Sequence, residues 1–332
     1  MSFFSRDLGS GRHAAPHPTV TADTAGVDAR REVWILQRHK KQKHALRNEN
    51  TARLVEALSA HGIGARTASP DLIDQTGGPQ QLRTRRRRVA APAALIQRSG
   101  SNTGARARGL STMLEAAGTV AFPTARALAL AGDKLSAGRL LSAAGLPVPD
   151  FMEIGPGVDG EALGAALGWP LLLKAARGSK GRSVRLIEGP DDLAPAISKL
   201  IHTGPLIAQR FVAESRGRDV RVIVIGGKAI GAMAREASAP DAICANIASG
   251  GHGRHMALTP EIAGLAEAAA RAAELEIAGV DLLYAGSHFA VCEINTAPGF
   301  VAFQAVTGID VATRIAMHIA ARLGDANGAI SC

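Results

Sequence analysis

Through residues 1–30 the apolar positions follow no period, and Gly, Ala, Pro, Thr and charged residues dominate. That composition predicts a disordered or loosely attached extension. Pattern begins at Val33-Trp34-Ile35-Leu36, an unbroken apolar run of strand length. Leu54, Val55 and Leu58 then recur at helical spacing between Thr51 and His61, and Gly62 supplies the stop. The alternation repeats: Ala93-Ala94-Leu95-Ile96 reads as a strand, Arg98 to Gly104 as a loop and Leu110 to Ala117 as a helix. Strand alternating with helix predicts an open α/β sheet over residues 31–122.

After Phe122-Pro123 the pattern changes. Thr124 to Gly145 reads as helices, and Pro147 to Ile154, Pro170 to Ala175 and Ser183 to Glu188 read as strands around another helix. This predicts a small α+β lobe over residues 123–208. Four strongly apolar stretches follow, Leu206 to Val212, Asp219 to Ile225, Lys228 to Arg235 and Ala278 to Tyr284, with an Ala-rich helix at Pro260 to Leu275. They predict an antiparallel sheet backed by helices, forming a further lobe over residues 209–325. The expected class is therefore α/β followed by α+β, and no solenoid or propeller repeat is visible.

Composition narrows the function more than the fold. The 332 residues suffice for two or three small cores, and 46% hydrophobic with 20% charged residues describes a soluble globular protein. Cys244, Cys292 and Cys332 show no paired spacing, which argues against a disulfide framework or a zinc knuckle and favours a reducing compartment. Residues 1–30 lack the apolar core of a secretory signal, and no segment approaches a spanning helix, so a cytoplasmic protein without a membrane partner is expected. A formal net charge of +9 implies anionic partners: nucleotide, acidic peptide, polyanionic coenzyme or nucleic acid. Gln81 to Val89 breaks the strand-helix pattern with Arg83, Arg85, Arg86, Arg87 and Arg88, and is expected to be exposed. Without stacking aromatics beside it, single-strand recognition is poorly supported; an acidic protein or polyglutamate tail explains the run equally well.

The chemistry concentrates near the C-terminus. Val280-Asp281-Leu282-Leu283 and Val291-Cys292-Glu293-Ile294-Asn295 read as a hairpin, with Glu293 and Asn295 on one strand face and Asp281 able to face them. An isolated Glu-x-Asn is most often an ordinary solvent-facing pair. Here two carboxylates and an amide alternate with apolar residues, and such a hard, all-oxygen set suits magnesium shared with phosphate groups. Lys174 ends the strand Leu171-Leu172-Leu173 and precedes Gly178-Ser179-Lys180-Gly181-Arg182-Ser183. That turn is either a simple hairpin or a backbone cradle for phosphate. Arg98, in a loop after a strand, is either a surface residue or a clamp for a substrate carboxylate.

Ala278-Gly279-Val280-Asp281-Leu282-Leu283, Glu293-Ile294-Asn295-Thr296-Ala297-Pro298-Gly299 and Thr307-Gly308-Ile309-Asp310 resemble, in this order, the C-terminal lobe of ATP-grasp ligases, most closely the RimK-type glutamate ligases. The resemblance covers roughly residues 90 to 325. It implies an ATP-grasp fold behind a Rossmann-like N-terminal domain, with ATP and two Mg2+ or Mn2+ ions as cofactors. It implies nucleotide binding through Lys134, Lys174, the mobile loop with Gly178, Ser179, Gly181 and Ser183, the hinge Gln209-Arg210-Phe211-Val212, Asp219 and Asn246. Arg235 would lie over the reacting phosphate, and Arg98 and Arg221 near the substrate. Arg210 stands where the family has an acidic residue, and Cys244 where RimK-type enzymes carry an arginine. The implied reaction activates a carboxylate as an acylphosphate and joins an amine to it, with glutamate as the amine and a protein, peptide or coenzyme carboxylate as acceptor; a homo-oligomer is expected. The alternative from a different class is a nucleotide-binding regulator or nucleic-acid-binding protein that keeps the fold.

Overall fold

The structure is a computed structural model that describes residues 32–37, 45–84, 87–99, 104–155, 157–178, 184–239, 241–245 and 250–328. The extension read over 1–30, together with Arg85, Arg86, Ser179, Gly181, Ser183 and Asn246, lies outside the described residues.

The N-terminal unit runs β1 (Val33–Leu36), α1 (Ala45–Ala60), β2 (Ala65–Ala68), the short strands β3 (Ile73–Asp74), β4 (Arg83–Thr84) and β5 (Arg87–Arg88), then β6 (Ala94–Gln97), α2 (Ala105–Ala116) and β7 (Val120–Phe122). Its main sheet has the order β2-β1-β6-β7, with every neighbouring pair parallel. Val33, Ile35, Ala94 and Ile96 face one core and Trp34, Leu36 and Leu95 the other. Burial on both faces is why these strands are apolar throughout. Within the arginine-rich segment, Arg83–Thr84 pairs antiparallel with Arg87–Arg88 and with β3.

The small lobe comprises α3 (Ala125–Ala131), α4 (Lys134–Ala143), β8 (Phe151–Ile154), α5 (Gly160–Leu167), β9 (Leu171–Ala175), β10 (Val184–Ile187), α6 (Pro190–Leu200) and β11 (Leu206–Arg210). Its antiparallel sheet has the order β10-β9-β11-β8. Leu206 to Arg210 therefore closes this lobe and does not join the following sheet, as its apolarity alone had suggested. Leu171, Leu173, Leu206 and Ala208 pack under Leu163, Leu167 and Leu193 of α5 and α6. By the period of two, Leu172, Lys174, Ile207 and Gln209 occupy the opposite face.

The large lobe holds β12 (Arg218–Ile225), β13 (Lys228–Glu236), β14 (His252–Met256), α7 (Pro260–Ala272), β15 (Ile277–Ala285), β16 (His288–Asn295), α8 (Val301–Thr307) and α9 (Val311–Gly328). The antiparallel order is β14-β13-β12-β15-β16. Val220, Val222, Val224, Val280 and Leu282 pack against α7 and against α3 and α4. The other face is divided. Ile223, Ile225, Met233 and Ile277 lie in a core shared with α1, α8, α9 and the N-terminal sheet. Beyond them, the same face turns polar at Asp219, Arg221, Arg235, Asp281, Glu293 and Asn295. Among the described residues no helix is long and apolar enough to cross a membrane.

Two side chains tie the N-terminal unit to the segment that follows β16. Asn50 Oδ1 accepts hydrogen bonds from the N–H groups of Phe300 (2.6 Å) and Val301 (3.3 Å), capping α8 from another element. Arg98 Nη2 donates to Pro298 O at 2.8 Å, and its guanidinium lies over the Phe300 ring. Asn50→Ala is expected to lower stability by about 1–2 kcal/mol, because both N–H groups lose their acceptor at a buried position. Urea unfolding checks this; an unchanged midpoint would show that the cap contributes nothing.

Candidate active site

The register of the large sheet sets the polar half of its divided face. Asp219 on β12 is opposite Arg235 on β13, Arg221 on β12 is opposite Asp281 on β15, and Asp281 is opposite Glu293 on β16. The side chains follow that grid. Arg235 binds Asp219 through both oxygens, at 2.6 and 2.7 Å, and reaches Asp281 Oδ2 at 3.0 Å. Arg221 forks onto Asp281 at 2.5 and 2.7 Å. Asn295 Nδ2 donates to Gly279 O (3.3 Å) and toward Asp281 Oδ2 (3.4 Å), which leaves its Oδ1 as an acceptor.

A bulge makes this possible. Asp281 pairs with Glu293 but Leu282 pairs with Val291, so Cys292 is an extra residue on β16. Strict alternation would place Val291 and Glu293 on one face. The bulge instead sends Val291 into the core under α7 and Glu293 into the site. Gly279 is required by close approach: a Cβ there would stand 2.8 Å from Pro298 Cβ and 3.6 Å from Asn295 Cβ.

The small lobe, α4 included, supplies the opposite wall. Asp133 caps α4 by accepting from Ser136 N at 2.9 Å, and Lys134 N–H donates to Ala176 O at 2.9 Å, fixing the start of the helix beside the end of β9. Lys134 Nζ then reaches Glu293 Oε1 (3.1 Å) and Gly178 O (3.3 Å). Buried Lys174 donates to Gln209 Oε1 on the neighbouring strand. Next to these lysines lies a cleft lined by Gly138, Leu141, Val148, Phe151, Ile207 and Val291, with Cys292 and Glu293 at its polar end. It is a narrow cleft in which apolar side chains adjoin two lysines.

Burial pushes the Asp281 carboxyl up, but the guanidiniums of Arg221 and Arg235 outweigh it and hold it below the ordinary carboxylate range. Asp219 moves the other way, raised by burial and by the charge of Asp281 against the pull of Arg235. Burial by itself would lower the Lys134 ammonium; Glu293 more than compensates and holds it above the ordinary lysine range. Burial drives the Cys292 thiol up to about 11, so it is neutral at pH 7. Four cations, Lys134, Lys174, Arg221 and Arg235, thus face three carboxylates, Asp219, Asp281 and Glu293. Asp281, Glu293 and Asn295 present neighbouring hard oxygens, a donor set that fits Mg2+ or Mn2+.

Of the sequence-derived residues, Lys134, Lys174, Gln209 and Glu293 line one cleft, Asp219, Arg221, Arg235, Asp281 and Asn295 form the adjoining grid on the sheet face, and Gly178 contributes its carbonyl to Lys134. Arg210 joins neither. The period of two turns it away from Gln209 to the α5 side, where it pairs with Asp150 at 2.9 Å and donates to Ala166 O at 3.3 Å, leaving only its backbone near the hinge. Phe211 and Val212 leave β11 half-buried, the Phe211 ring lying under the Arg216 guanidinium. Arg98 is engaged by Pro298, just beyond β16. Cys244 is exposed, close enough to Lys174 and Asp219 to feel both charges. Sequence reasoning missed the apolar cleft residues. The available signals were Gly138 inside a helix, a mark of close approach, and the alternation that puts Phe151 and Ile207 on the face of Gln209.

A family model described as the RimK-like ATP-grasp domain matches residues 131–319, more than half of the chain. A relative named "Probable alpha-L-glutamate ligase", from Sodalis glossinidius (strain morsitans), is 31% identical over 280 residues, spanning 82% of this chain and 93% of the relative. Beta-citrylglutamate synthase B of Homo sapiens is 34% identical over 187 residues, 55% of this chain and 48% of that protein. Among solved structures, the ATP-grasp ligase PsnB complexed with minimal precursor, Mg and ADP superposes with a TM-score of 0.65 at 20% identity, over 90% of this chain and all of that one (100%). D-cycloserine synthetase DcsG superposes with a TM-score of 0.68 at 19% identity, over 88% and 99% of the two chains. These likenesses agree on the fold, and the family model and the curated relatives agree on the chemistry. The chain belongs to the RimK-like ATP-grasp family and is an ATP-grasp ligase, an enzyme that forms carbon–nitrogen bonds and releases ADP.

Proposed function

We propose that this ligase joins glutamate, through its amine, to a terminal carboxylate of a protein, peptide or coenzyme, using ATP and two Mg2+ ions. The carrying observation is the divided sheet face: Asp281, Glu293 and Asn295 stand beside Arg221 and Arg235, across a cleft from Lys134 and Lys174. The names of the curated relatives, alpha-L-glutamate ligase and beta-citrylglutamate synthase, support glutamate as the amine.

In this reading an acceptor carboxylate oxygen attacks the γ-phosphorus of ATP, and the bond to the bridging oxygen breaks to release ADP. The amine nitrogen then attacks the acyl carbon of the acylphosphate, phosphate leaves, and the nitrogen gives up a proton. The cleft holds the base, and Gln209 steadies Lys174 where the phosphates would begin. Arg235, fixed by two carboxylates, presents a rigid guanidinium to developing charge. Asp281, Glu293 and Asn295 would hold the divalent cations, which supply charge neutralisation at the phosphate oxygens. The chain's part is orientation and charge balance, and no nucleophilic side chain is required.

Incubation of the purified protein with ATP, magnesium, isotopically labelled glutamate and a cell extract tests this. ADP and phosphate should appear only with both substrates, and mass spectrometry should find the label on an acceptor. AMP and pyrophosphate as products would overturn the acylphosphate route, and a labelled acceptor formed from another amino acid would overturn glutamate.

A further inference from the structure

The carboxylates Asp281 and Glu293 each carry a counter-ion supplied by the chain, but the two are held differently. Arg221 forks onto both oxygens of Asp281, and Arg235, itself anchored on Asp219, reaches Oδ2 at 3.0 Å. These guanidiniums rise from β12 and β13 of the same sheet, and planar forks in such a frame are not readily displaced. Glu293 is paired instead with a lysine from across the cleft. The Lys134 ammonium donates to Glu293 Oε1 at 3.1 Å and to Gly178 O at 3.3 Å.

That contact is able to exchange. The backbone of Lys134 is fixed, by the Asp133 cap and by its own N–H on Ala176 O, but the ammonium rides on a flexible four-carbon stem. The Lys134 and Glu293 side chains keep 20% and 34% of their surface exposed, so water and ions reach the pair and its bond is weak. A divalent cation such as Mg2+ on Oε1 would stand about 2.1 Å from that oxygen. Two cations crowded onto one oxygen repel strongly, so the ammonium and the metal exclude each other from Glu293. Lys134 also lines the cleft beside Lys174. Phosphate oxygens entering there offer the ammonium another partner.

We propose that Lys134 is the resident counter-ion of Glu293, holding the cation position until the phosphates of a nucleotide draw the ammonium away and open Glu293 to the divalent cation. This rests on the reading of Glu293 as a metal ligand and of the cleft as the nucleotide site. It adds that one side chain makes metal and nucleotide binding interdependent. Metal alone binds poorly, and by reciprocity each ligand raises the affinity for the other.

Binding of Mn2+ to the full chain without nucleotide, followed by the EPR signal of the free ion, tests this. Lys134→Met should bind Mn2+ about tenfold more tightly than wild type. Lys134→Gln removes the same charge and should show the same gain, which guards against a fold defect in either variant. Lys174→Met removes the other ammonium of the cleft and should gain much less; equal gains would reduce the effect to net charge and overturn the proposal. The gain should vanish when Lys134→Met is placed on Glu293→Ala, and a gain that survives there would overturn it too. With a non-hydrolysable ATP analogue the order should reverse, Lys134→Met holding the Mn2+–analogue complex more weakly than wild type. A variant that binds more tightly under both conditions would overturn the exchange. Glu293→Ala binding that complex as tightly as wild type would overturn the reading of Glu293 as a metal ligand. A site that depends on Glu293 yet shows no gain in Lys134→Met would overturn the exchange alone.

Discussion

Asp281→Ala and Glu293→Ala are both expected to reduce ADP formation by about a thousandfold, the loss of several kcal/mol of charge stabilisation at the phosphates, while only Asp281→Ala damages the fold. Asp281 is 6% exposed and is held by two guanidiniums, so its removal leaves Arg221 without its carboxylate and should cost about 3–5 kcal/mol. Glu293 is far more exposed, and its pair with Lys134 should contribute under about 1 kcal/mol. Acid separates them further. Because the Asp281 carboxyl is held below its ordinary range, its stabilisation is present at neutral pH and is lost as pH falls through that lowered value. The Asp281→Ala protein should lack this part of the acid loss. Paired measurements of ADP release and urea unfolding decide the matter. A Glu293→Ala enzyme as fast as wild type would remove that residue from the metal set.

Gly138→Ala should raise the KM for ATP about tenfold without destabilising the protein. A Cβ at Gly138 would stand 2.8 Å from Phe151 Cζ, and both residues line the cleft beside Lys134 and Lys174, so the ring must shift within the space proposed for the base. The helix itself gains, because alanine is favoured over glycine in a helix interior by about 0.8–1 kcal/mol. Stability and nucleotide affinity should therefore move in opposite directions. Adding Phe151→Leu, which removes the far end of the ring, should restore much of the affinity. An unchanged KM in the single variant would place the base elsewhere.

The sequence displayed Asp281, Glu293 and Asn295 because these polar residues interrupt apolar runs at strand period. It also showed that Lys134 and Lys174 belonged with them, though only through family likeness, since they lie 159 and 119 positions from Glu293 along the chain. The Cys292 bulge left no trace in the residue pattern, and without the register Val291 and Glu293 appear to share a face. Arg210 illustrates the converse. Its position next to Gln209 made it a hinge residue in the sequence, whereas the pleat sends the two side chains to opposite faces of β11. The cleft was hidden because Phe151, Ile207 and Val291 are ordinary core residue types, and only their meeting at Gly138 makes a cavity. Strand Leu206–Arg210 was recognised but assigned to the wrong sheet, since apolarity predicts burial and not pairing partners.

The shared core beneath the divided sheet face has a consequence for the order in which the enzyme matures during synthesis. Val33, Ile35, Leu54 and Leu58 near the beginning of the chain are covered by Ile315, Ile319 and Leu323 of the last helix, and the Asn50 cap awaits Phe300. At about 5–20 residues per second, the leading unit spends tens of seconds outside the ribosome with that apolar surface open. Helix α9 thus seals β1, and a ribosome stalled before α9 would hold a nascent chain with the polar sheet face already synthesised and its foundation still bare.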